Sequence, residues 1–590
     1  MNILLDPYRM VFVNIIASLF LLSGVVFYKF VYPKKNINLL FLLILISLLP
    51  VISILRSGTY ESGDLTIHTS FAISFYESLM DGSFVPRWSS QMIYGYGYPL
   101  FIFVYPLPYY LVSLIHFLEF TFIDSIKIIL ALSFIASGIG MYLFIKEELR
   151  NKFSAFFAAL VYLFSPYHLV DLHFRVAIGE ILAFAILPFC FLAIKKMSYS
   201  ITPRWFYFST ISFSLLILSH QAISLISFPF IIVYYLYLWI TKNNKKIKYI
   251  FFYIFTLVVG LLLSGFYWLP VVMESQYMNL LTKGNISFVP LGELFYSSWK
   301  WGFLFQGHKG ELSFMVGYVQ WFIIIFSIIL FIKGKISLKE KKIYLISVIS
   351  FFILIIMTQS VSSPIWMSVP ILRGFEFSYR LLLLISFFIS IIAGITMKNV
   401  NNRWLLIGLC IVTISITILN WGNRGTIPQL NDQAIKYEFP RNITKVGHST
   451  TIWVNSDKFK SNNRLVPHII VLQGEANISE TFRNSVRHEY LINVISKNAL
   501  IRENTLYFPG WKLYVDNNIY PINFQNPKYP GIILFDLSPG LHDIEISFED
   551  TPIRKISKLI SFVTGVFLVF YMIKNFPRGH NRRKFLKEQR

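Results

Sequence analysis

Long apolar runs separated by short polar segments make up most of the chain before residue 422. Each run is about 20 residues long, which lets an α-helix cross the hydrocarbon core of a bilayer. The pattern predicts an α-helical polytopic membrane protein with about 13 spans. The predicted spans are 11–31, 37–55, 126–145, 153–169, 177–195, 204–219, 222–240, 249–269, 313–332, 343–358, 379–397, 404–421 and 557–573.

One more apolar stretch, 99–118, predicts a different element. Pro99, Pro106 and Pro108 interrupt its first half, so we expect an interfacial or re-entrant segment and not a crossing helix. The alternative is that it spans. The basic segment 146–152 would then face the side opposite to the other basic segments.

The pattern changes to period two in 422–553, where alternating apolar residues are separated by Asn, Pro and Gly turns. This alternation predicts an antiparallel β-sandwich-like domain. The expected division is therefore a membrane module, 1–421, a β-rich domain, 422–553, and a last helix with a basic tail, 554–590. No cluster of His, Cys and acidic residues is evident in the β-rich domain, so we expect it to bind or position an acceptor. Trp453, Tyr507 and Trp511 are candidates for stacking on sugar rings.

Charge predicts the orientation of the helices. The net charge is +23, and seven segments hold 27 of the 53 Lys and Arg residues but only 4 of the 30 acids. The positive-inside rule places these segments in the cytoplasm. They are 29–36, 146–152, 195–204, 242–248, 333–342, 398–403 and 574–590. The N-terminus and 422–553 are then outside and the C-terminus inside. A lipid surface explains the basic tail, and no nucleic-acid partner is expected.

Away from their ends, the predicted spans carry no Asp, Glu, Lys or Arg. Ion-coupled transporters usually need such residues within the membrane, so this absence weakens a transporter function. Cys190 and Cys410 both lie within spans and suggest neither a disulfide nor a metal site.

The first large outer loop, 56–125, is the most informative segment, because it concentrates acids in a chain that has few. Asp64 opens a predicted amphipathic helix, 64–80, that we expect to lie on the outer leaflet. His68 is one turn away on the same face. The alternative is that Asp64 only caps the helix and that His68 is solvated.

A second cluster, SPYHLVDLHFRVAIGE, follows the fourth predicted span and contains Asp171, His173, Arg175 and Glu180. Asp171 and His173 are candidate ligands of a divalent metal ion, and Arg175 is a candidate phosphate ligand. The alternative is an interfacial loop whose charges lie among lipid headgroups.

Other charged residues are expected at the same membrane surface. His220 interrupts an apolar stretch at a predicted tight turn, and PILRGFEFSYR contains Arg373, Glu376 and Arg380 at another helix end. Glu376 and Arg380 have i,i+4 spacing and could pair. Equally, an arginine here could bind a lipid phosphate.

The segments SGDLTIHTSFAISFYESLMDGSFVPRWSSQMIYGYGYPLFIFVYPLPYYL, SPYHLVDLHFRVAIGE, LSHQAISL and LRGFEFSYRLL resemble the bacterial membrane-protein family labelled "6-pyruvoyl-tetrahydropterin synthase related". FPGWKLYVDNN and LSPGLHDIEISFE resemble the outer β-domain of the related YfhO-type proteins. Both families are similar in layout to GT-C glycosyltransferases, whose first outer loop carries a key acid. The resemblance implies the bacterial plasma membrane, and Asp64 occupies the position of that acid.

What the resemblance implies is an inverting glycosyltransferase that takes a sugar from a polyprenyl-phosphate donor to an envelope glycan, lipid or protein. Asp64 would be the general base. Phosphate or substrate would be bound by His68, Arg175, His220, Arg373, Glu376 and Arg380. Asp171 and His173 would be the ligands of a divalent metal ion. The alternatives are a non-enzymatic translocator or assembly factor for envelope glycans or lipids, and a polysaccharide polymerase.

Overall fold

The computed structural model describes residues 8–242, 245–280, 286–400, 402–422, 424–442, 449–454 and 467–575. Helices dominate these ranges up to residue 422. The first ten helices are α1 Tyr8–Val31, α2 Leu39–Ile54, α3 Leu65–Met80, α4 Leu100–Phe103, α5 Leu107–His116, α6 Phe122–Leu149, α7 Lys152–Leu163, α8 Pro166–Val170, α9 Ile178–Met197 and α10 Pro203–Ser219. The others are α11 Gln221–Thr241, α12 Ile247–Leu263, α13 Gly265–Glu274, α14 Tyr318–Ile332, α15 Leu338–Met357, α16 Ser363–Ser368, α17 Leu382–Val400, α18 Arg403–Ser415, α19 Asp432–Asn442 and α20 Pro552–Asn575.

A helix lies at each of the thirteen predicted positions, but the prediction of thirteen full spans is not confirmed. Within the described ranges, six helices are long and apolar enough to cross a membrane, and nine if each bent pair counts as one span. Bends of 49°, 72° and 89° divide the pairs. They are Lys152–Leu163 with Pro166–Arg175, Ile247–Leu263 with Gly265–Tyr277, and Leu338–Met357 with Ser360–Ser368.

The loops form two groups, as the alternation of basic segments predicts. In one group, Lys196 pairs with Glu147, and the backbone of Ser337 donates to Asn399. All four residues belong to or adjoin predicted basic segments. In the other group, backbone hydrogen bonds join 56–125 to 170–176 and 270–312 to 359–378. These contacts agree with the grouping that the basic segments predict for the loops that they join.

Two segments, 99–118 and 64–80, are predicted to lie at the membrane interface. Residues 99–118 form two short helices, α4 and α5, and neither is among the candidate spans. The helix predicted over 64–80 is α3, and its polar stripe is not exposed as an amphipathic surface helix would require. Ser70 and Ser74 of that face are buried. Ser74 tolerates burial because its Oγ lies 2.7 Å from Oγ of Ser89.

The strands are mostly near the C-terminus. The short ones are β1 Thr59–Tyr60, β2 Met278–Leu280, β3 Thr426–Ile427, β4 Ser449–Thr451 and β10 Asn518–Tyr520. The longer ones are β5 Ile469–Gln473, β6 Ala476–Arg483, β7 Arg487–Val494, β8 Ala499–Leu506, β9 Trp511–Val515, β11 Ile532–Leu537 and β12 Gly540–Phe548. They form an antiparallel five-stranded sheet in the order β10-β9-β12-β7-β6 and a three-stranded sheet in the order β11-β8-β5.

The two sheets face each other across a core that contains an ionic cluster. Glu503 on β8 is fully buried, and its Oε1 lies 3.0 Å from Nδ1 of His488 on β7. Arg483 donates to the same oxygen at 3.1 Å, and Tyr490 at 3.4 Å. The expectation that this domain holds no His and acid cluster is therefore wrong. The partners of Glu503 precede it by 13 to 20 positions in sequence and reach it only when the sheets pack.

The sheets are docked on the helical part through the segment after α3. Trp88 packs edge-on against Trp511 with a ring separation of 5.3 Å, and the carboxylate of Asp81 accepts from the backbone of Ser485. Trp511 is therefore buried in this contact and is not exposed for stacking on a sugar ring. Tyr507 is partly buried and stacks on Phe524 at 3.6 Å.

The segment before the two sheets, which contains β3 and β4, also contacts the helical part. Strand β3 pairs antiparallel with β1, and β4 pairs with β2. Strands β3 and β4 therefore tie the chain to the loops of the helical part before the two sheets begin.

We predict that Glu503→Gln weakens the β-rich domain. Burial by itself raises the pKa of this carboxyl, but His488 and Arg483 more than offset that effect and lower the pKa to about 2. Compared with an ordinary glutamate, a carboxyl with this lowered pKa adds about 3 kcal/mol to the free energy of unfolding. This contribution is present above about pH 5 and is lost as the pH falls toward 2.

Hydrogen exchange of β7 and β8 in the full-length protein in detergent, corrected for intrinsic rates, measures this effect. Glu503→Gln should exchange faster than wild type at pH 6 and should lose part of that difference at pH 3.5. Glu545→Gln is the control, because Glu545 pairs with the half-exposed Arg487 on the outer face. Equal protection from hydrogen exchange in wild type and Glu503→Gln at pH 6 would show that the Glu503 carboxylate does not stabilise the domain.

Candidate functional site

The start of α3 is fixed to the loop that follows α8. The backbone amide of Gly63 donates to the carbonyl of Phe174, and that of Asp64 donates to the carbonyl of Arg175, both at 2.8 Å. A Cβ at position 63 would lie 3.3 Å from the Arg175 oxygen, so glycine permits this close approach. Asp64 and Arg175, 111 residues apart in sequence, are thus neighbours.

Arg175 ends a single π-helical turn, Asp171–Arg175, that continues α8. The next residue, Val176, has φ 59° and ψ 46°, a left-handed conformation that is strained for a β-branched side chain. Such strain costs of the order of 1–3 kcal/mol and persists only where the surroundings enforce it. π-Turns are frequent at functional sites, and this one turns Arg175 toward α9.

A buried ionic cluster lies at this turn, and Glu180 in the first turn of α9 is at its centre. Nη2 of Arg175 is 3.0 Å from Oε1 of Glu180, and Nη1 is 2.5 Å from Oδ1 of Asp171. The Tyr167 hydroxyl donates to Oε2 of Glu180 at 2.5 Å. The Glu180 side chain is only 1% exposed, so its charge is neutralised by these partners and not by water.

Two further predicted residues converge on the same carboxylate. Nε of Arg380, at the start of the span containing α17, is 3.4 Å from Oε1 of Glu180. Nε2 of His220 is 3.9 Å from that oxygen. Nη1 of Arg380 donates to the carbonyl of Phe375. Among the residues that the structure describes, Nη2 of Arg380 has no hydrogen-bond partner, and the side chain is 17% exposed, which leaves one guanidinium edge free for a ligand.

Aromatic residues close one wall of the site. The Tyr105 ring packs against His220 at 4.9 Å and against Gly179, where a Cβ would lie 2.4 Å from the ring. The Tyr109 hydroxyl is 2.9 Å from Nδ1 of His68. Burial lowers the pKa of His68, and the charge of Asp64 only partly offsets this. His68 is therefore a neutral hydrogen-bonding residue at neutral pH, not a solvated one.

The Asp64 carboxylate is half-exposed and makes no hydrogen bond to the start of α3. The Ser62 hydroxyl accepts from Leu65 instead. The capping role considered for Asp64 is therefore not seen. In the described part of the chain, this carboxylate has no hydrogen-bond or ion-pair partner, so it is available to a substrate.

The metal prediction rested on Asp171 and His173. One oxygen of Asp171 is occupied by Arg175, while Oδ2 of Asp171 and Nε2 of His173 are buried without a partner. The described ranges contain no group of three or more His, Cys, Asp or Glu residues arranged to hold a metal ion. These two residues alone fall short of the ligand set of a divalent ion, and we assign no step to one.

Two predicted residues are not part of the cluster as described. The Arg373 side chain lies outside the described residues. Glu376 ends a 3₁₀ segment at φ 51°, so its i,i+4 relation to Arg380 is not helical. In the ranges described, Arg380 pairs with Glu180 and not with Glu376.

Sequence reasoning noted Glu180 in the second cluster but gave it no role, and it missed Tyr105 and Tyr167. The charge of Glu180 beside Arg175 was the available signal. Glu180 is buried in the first turn of the candidate span Ile178–Met197, so it lies at a span end and leaves the argument about transporters unchanged.

Fold and site together define a polytopic membrane protein in which charged residues from distant loops meet at one end of the helical bundle. Residues 101–425 match the family model of the 6-pyruvoyl-tetrahydropterin synthase related domain, described as a membrane protein. This match covers more than half of the 590 residues, and the chain belongs to that family. The segment from Tyr105 to Arg380 lies within the match.

The chain is also similar to a relative whose name states no activity. An uncharacterized protein of Lactococcus lactis subsp. cremoris (strain MG1363) is 24% identical over 314 residues, which are 51% of this chain and 51% of the relative. The chain thus spans about half the length of the curated relative it matches.

We predict that Glu180→Gln destabilises the helical bundle, because it leaves the guanidinium groups of Arg175 and Arg380 without their shared carboxylate. Breaking a buried ion pair typically costs about 3–5 kcal/mol. Cys190 and Cys410 are buried, so a thiol-reactive dye reports unfolding of the full-length protein in detergent. Dye labelling should begin at a temperature several degrees lower than in wild type. Glu311→Gln removes an exposed charge and should leave the profile unchanged. Identical profiles for Glu180→Gln and wild type would contradict the central role of Glu180.

Proposed function

We propose that this chain is a GT-C-like membrane glycosyltransferase that transfers a sugar, with inversion, from a polyprenyl-phosphate donor to an envelope acceptor. The observation that carries the proposal is the unpaired Asp64 carboxylate held by its backbone against Arg175. A free carboxylate beside bound cations at the end of a membrane bundle provides a base and a phosphate-binding group together.

In the proposed reaction, Asp64 accepts the proton of an acceptor hydroxyl as its oxygen attacks the anomeric carbon. The bond between that carbon and the phosphate oxygen breaks, and its electron pair leaves with the phosphate. The free edge of Arg380 stabilises the charge that develops on the departing phosphate. Arg175 is a positioning residue, because its guanidinium already contacts Asp171, Glu180 and Tyr167.

The proposed location is the outer face of the bacterial plasma membrane. The charge bias of the connections supports this orientation. The loops that carry Asp64, Arg175 and Arg380, together with the β-rich domain, are then extracytoplasmic. The acceptor would reach the site beside that domain, since Trp511 and Trp88 pack the domain against the segment after α3.

A translocator of lipid-linked glycans is the second candidate, and one observation favours it. Three helix pairs are bent by 49°, 72° and 89°, and Arg175 ends one of them. Discontinuous helices commonly build substrate sites in transporters. A translocator would move the lipid-linked sugar without breaking its phosphate bond, so the product of the reaction separates the two functions.

We predict that Asp64→Asn lowers the rate of sugar transfer at least about 100-fold, because a general base contributes a factor of this order. Transfer of radiolabelled sugar from polyprenyl phosphate by the purified full-length protein measures it. The thiol-dye melting profile should stay within error of wild type, since no hydrogen bond of the carboxylate is lost.

Glu61→Gln is the matched control, because Glu61 is an exposed acid of the same loop that lies 3.9 Å from Arg424. It should retain the wild-type rate. A rate near wild type in Asp64→Asn would remove Asp64 from the mechanism. Movement of intact donor across vesicles without any transfer would favour the translocator.

We predict that a cysteine at Lys528 is labelled from outside the cell and one at Lys339 is not. Both lysines are exposed, and they lie in the β-rich domain and in the basic segment 333–342. Cys190 and Cys410 are replaced by Ala beforehand. After permeabilisation, both introduced cysteines should react. The reverse pattern in intact cells would put Asp64 in the cytoplasm and contradict the proposed location.

A further inference from the structure

A buried arginine outside this site has no acidic partner. Arg87, in the segment between α3 and α4, is only 5% exposed. Its Nη2 donates to the carbonyl of Phe266 in α13 at 2.7 Å. Its Nε is buried and has no hydrogen-bond partner. Within the described ranges, no carboxylate lies within ion-pair distance of Arg87. A buried cation without an anion is costly, so its retention needs an explanation.

The nearby acids are already used by other cations. Glu274 pairs with Arg554 at 3.0 Å, and Asp550 pairs with Lys558 at 2.5 Å. Two acids thus face three cations once Arg87 is included, and one positive charge remains uncompensated. Burial and the charge of Arg554 lower the pKa of Arg87 to about 10, which still leaves Arg87 protonated at neutral pH.

The surroundings of Arg87 are those of a membrane boundary. Phe84 is 86% exposed, and Val272 and Met273 of α13 are 55% and 48% exposed. The Tyr110 hydroxyl donates to the Phe84 carbonyl at 2.7 Å, which holds this segment in place. The two segments that hold Arg87 thus carry exposed apolar side chains, which are suited to contact lipid chains, while a guanidinium is suited to bind a phosphate.

We propose that Arg87 is the centre of an anion-binding site for a single phosphate group at the seam between the segment after α3, α13 and the start of α20. The site is separate from the Arg175 and Glu180 cluster and does not depend on glycosyl transfer. The phosphate comes either from a phospholipid headgroup or from free phosphate.

The test uses the full-length protein in a mild neutral detergent and measures thiol-dye melting. Phosphatidylglycerol, phosphatidylcholine and inorganic phosphate are titrated separately, with chloride at matched ionic strength as the blank. Wild type should be stabilised in a saturable way. Stabilisation by both lipids or by phosphatidylglycerol alone assigns a lipid source, and stabilisation by inorganic phosphate assigns free phosphate. No saturable stabilisation of wild type by any of the three overturns the proposal.

Arg87→Gln should raise the apparent dissociation constant at least about tenfold. Arg204→Gln is the control, because it removes an exposed arginine in the first turn of α10, and it should bind like wild type. If Arg87→Gln does not fold, Arg87→Lys keeps the charge but loses the planar fork and should bind several-fold more weakly. Wild-type affinity in whichever Arg87 variant folds overturns the proposal. An equal loss of affinity in Arg204→Gln does so too, because it would show general surface attraction.

Discussion

The ionic cluster in which Arg175 and Arg380 share the Glu180 carboxylate holds three distant parts of the helical bundle at fixed positions. Arg175 comes from the π-turn after α8, Glu180 from α9 and Arg380 from the start of the span containing α17. Glu180 is almost fully buried, and its removal would leave Arg380 without an ion-pair partner among the described residues and Arg175 with Asp171 alone. The cluster therefore constrains geometry more than it adds stability, because the cost of desolvating the charges opposes their attraction.

The ionic cluster also fixes the positions of the neighbouring residues that would bind a substrate. The backbone of Arg175 holds Asp64 at the start of α3, and the Gly179 surface accepts Tyr105 beside His220. The strained Val176 follows directly. Local strain of this kind is sustained only by a well-packed environment, and here the buried ion pairs and backbone hydrogen bonds supply it. The Asp64 carboxylate takes part in none of these ion pairs or hydrogen bonds, so it differs from the other charged groups of the site.

The β-rich domain is coupled to this arrangement through the segment after α3, and not only through its covalent ends. Trp88 packs against Trp511, and Arg87 lies beside the pair of Glu274 and Arg554 that connects α13 to α20. The same segment carries Asp81, which binds the backbone of Ser485. A displacement of the β-rich domain would therefore also move the segment that follows α3, the helix that begins after Asp64.

The sequence by itself determined what depends on local pattern. Apolar runs located the helices, the prolines at 99–118 broke an otherwise plausible span, and the basic segments separated the loops into two groups. It also drew attention to Asp64, Arg175, His220 and Arg380, because charges are rare in such a chain. Tertiary structure decided what depends on pairing across long separations. Periodicity carries no information about which buried charges meet, so the central place of Glu180, the His488 and Glu503 cluster and the unpartnered Arg87 became visible only once the chain was folded.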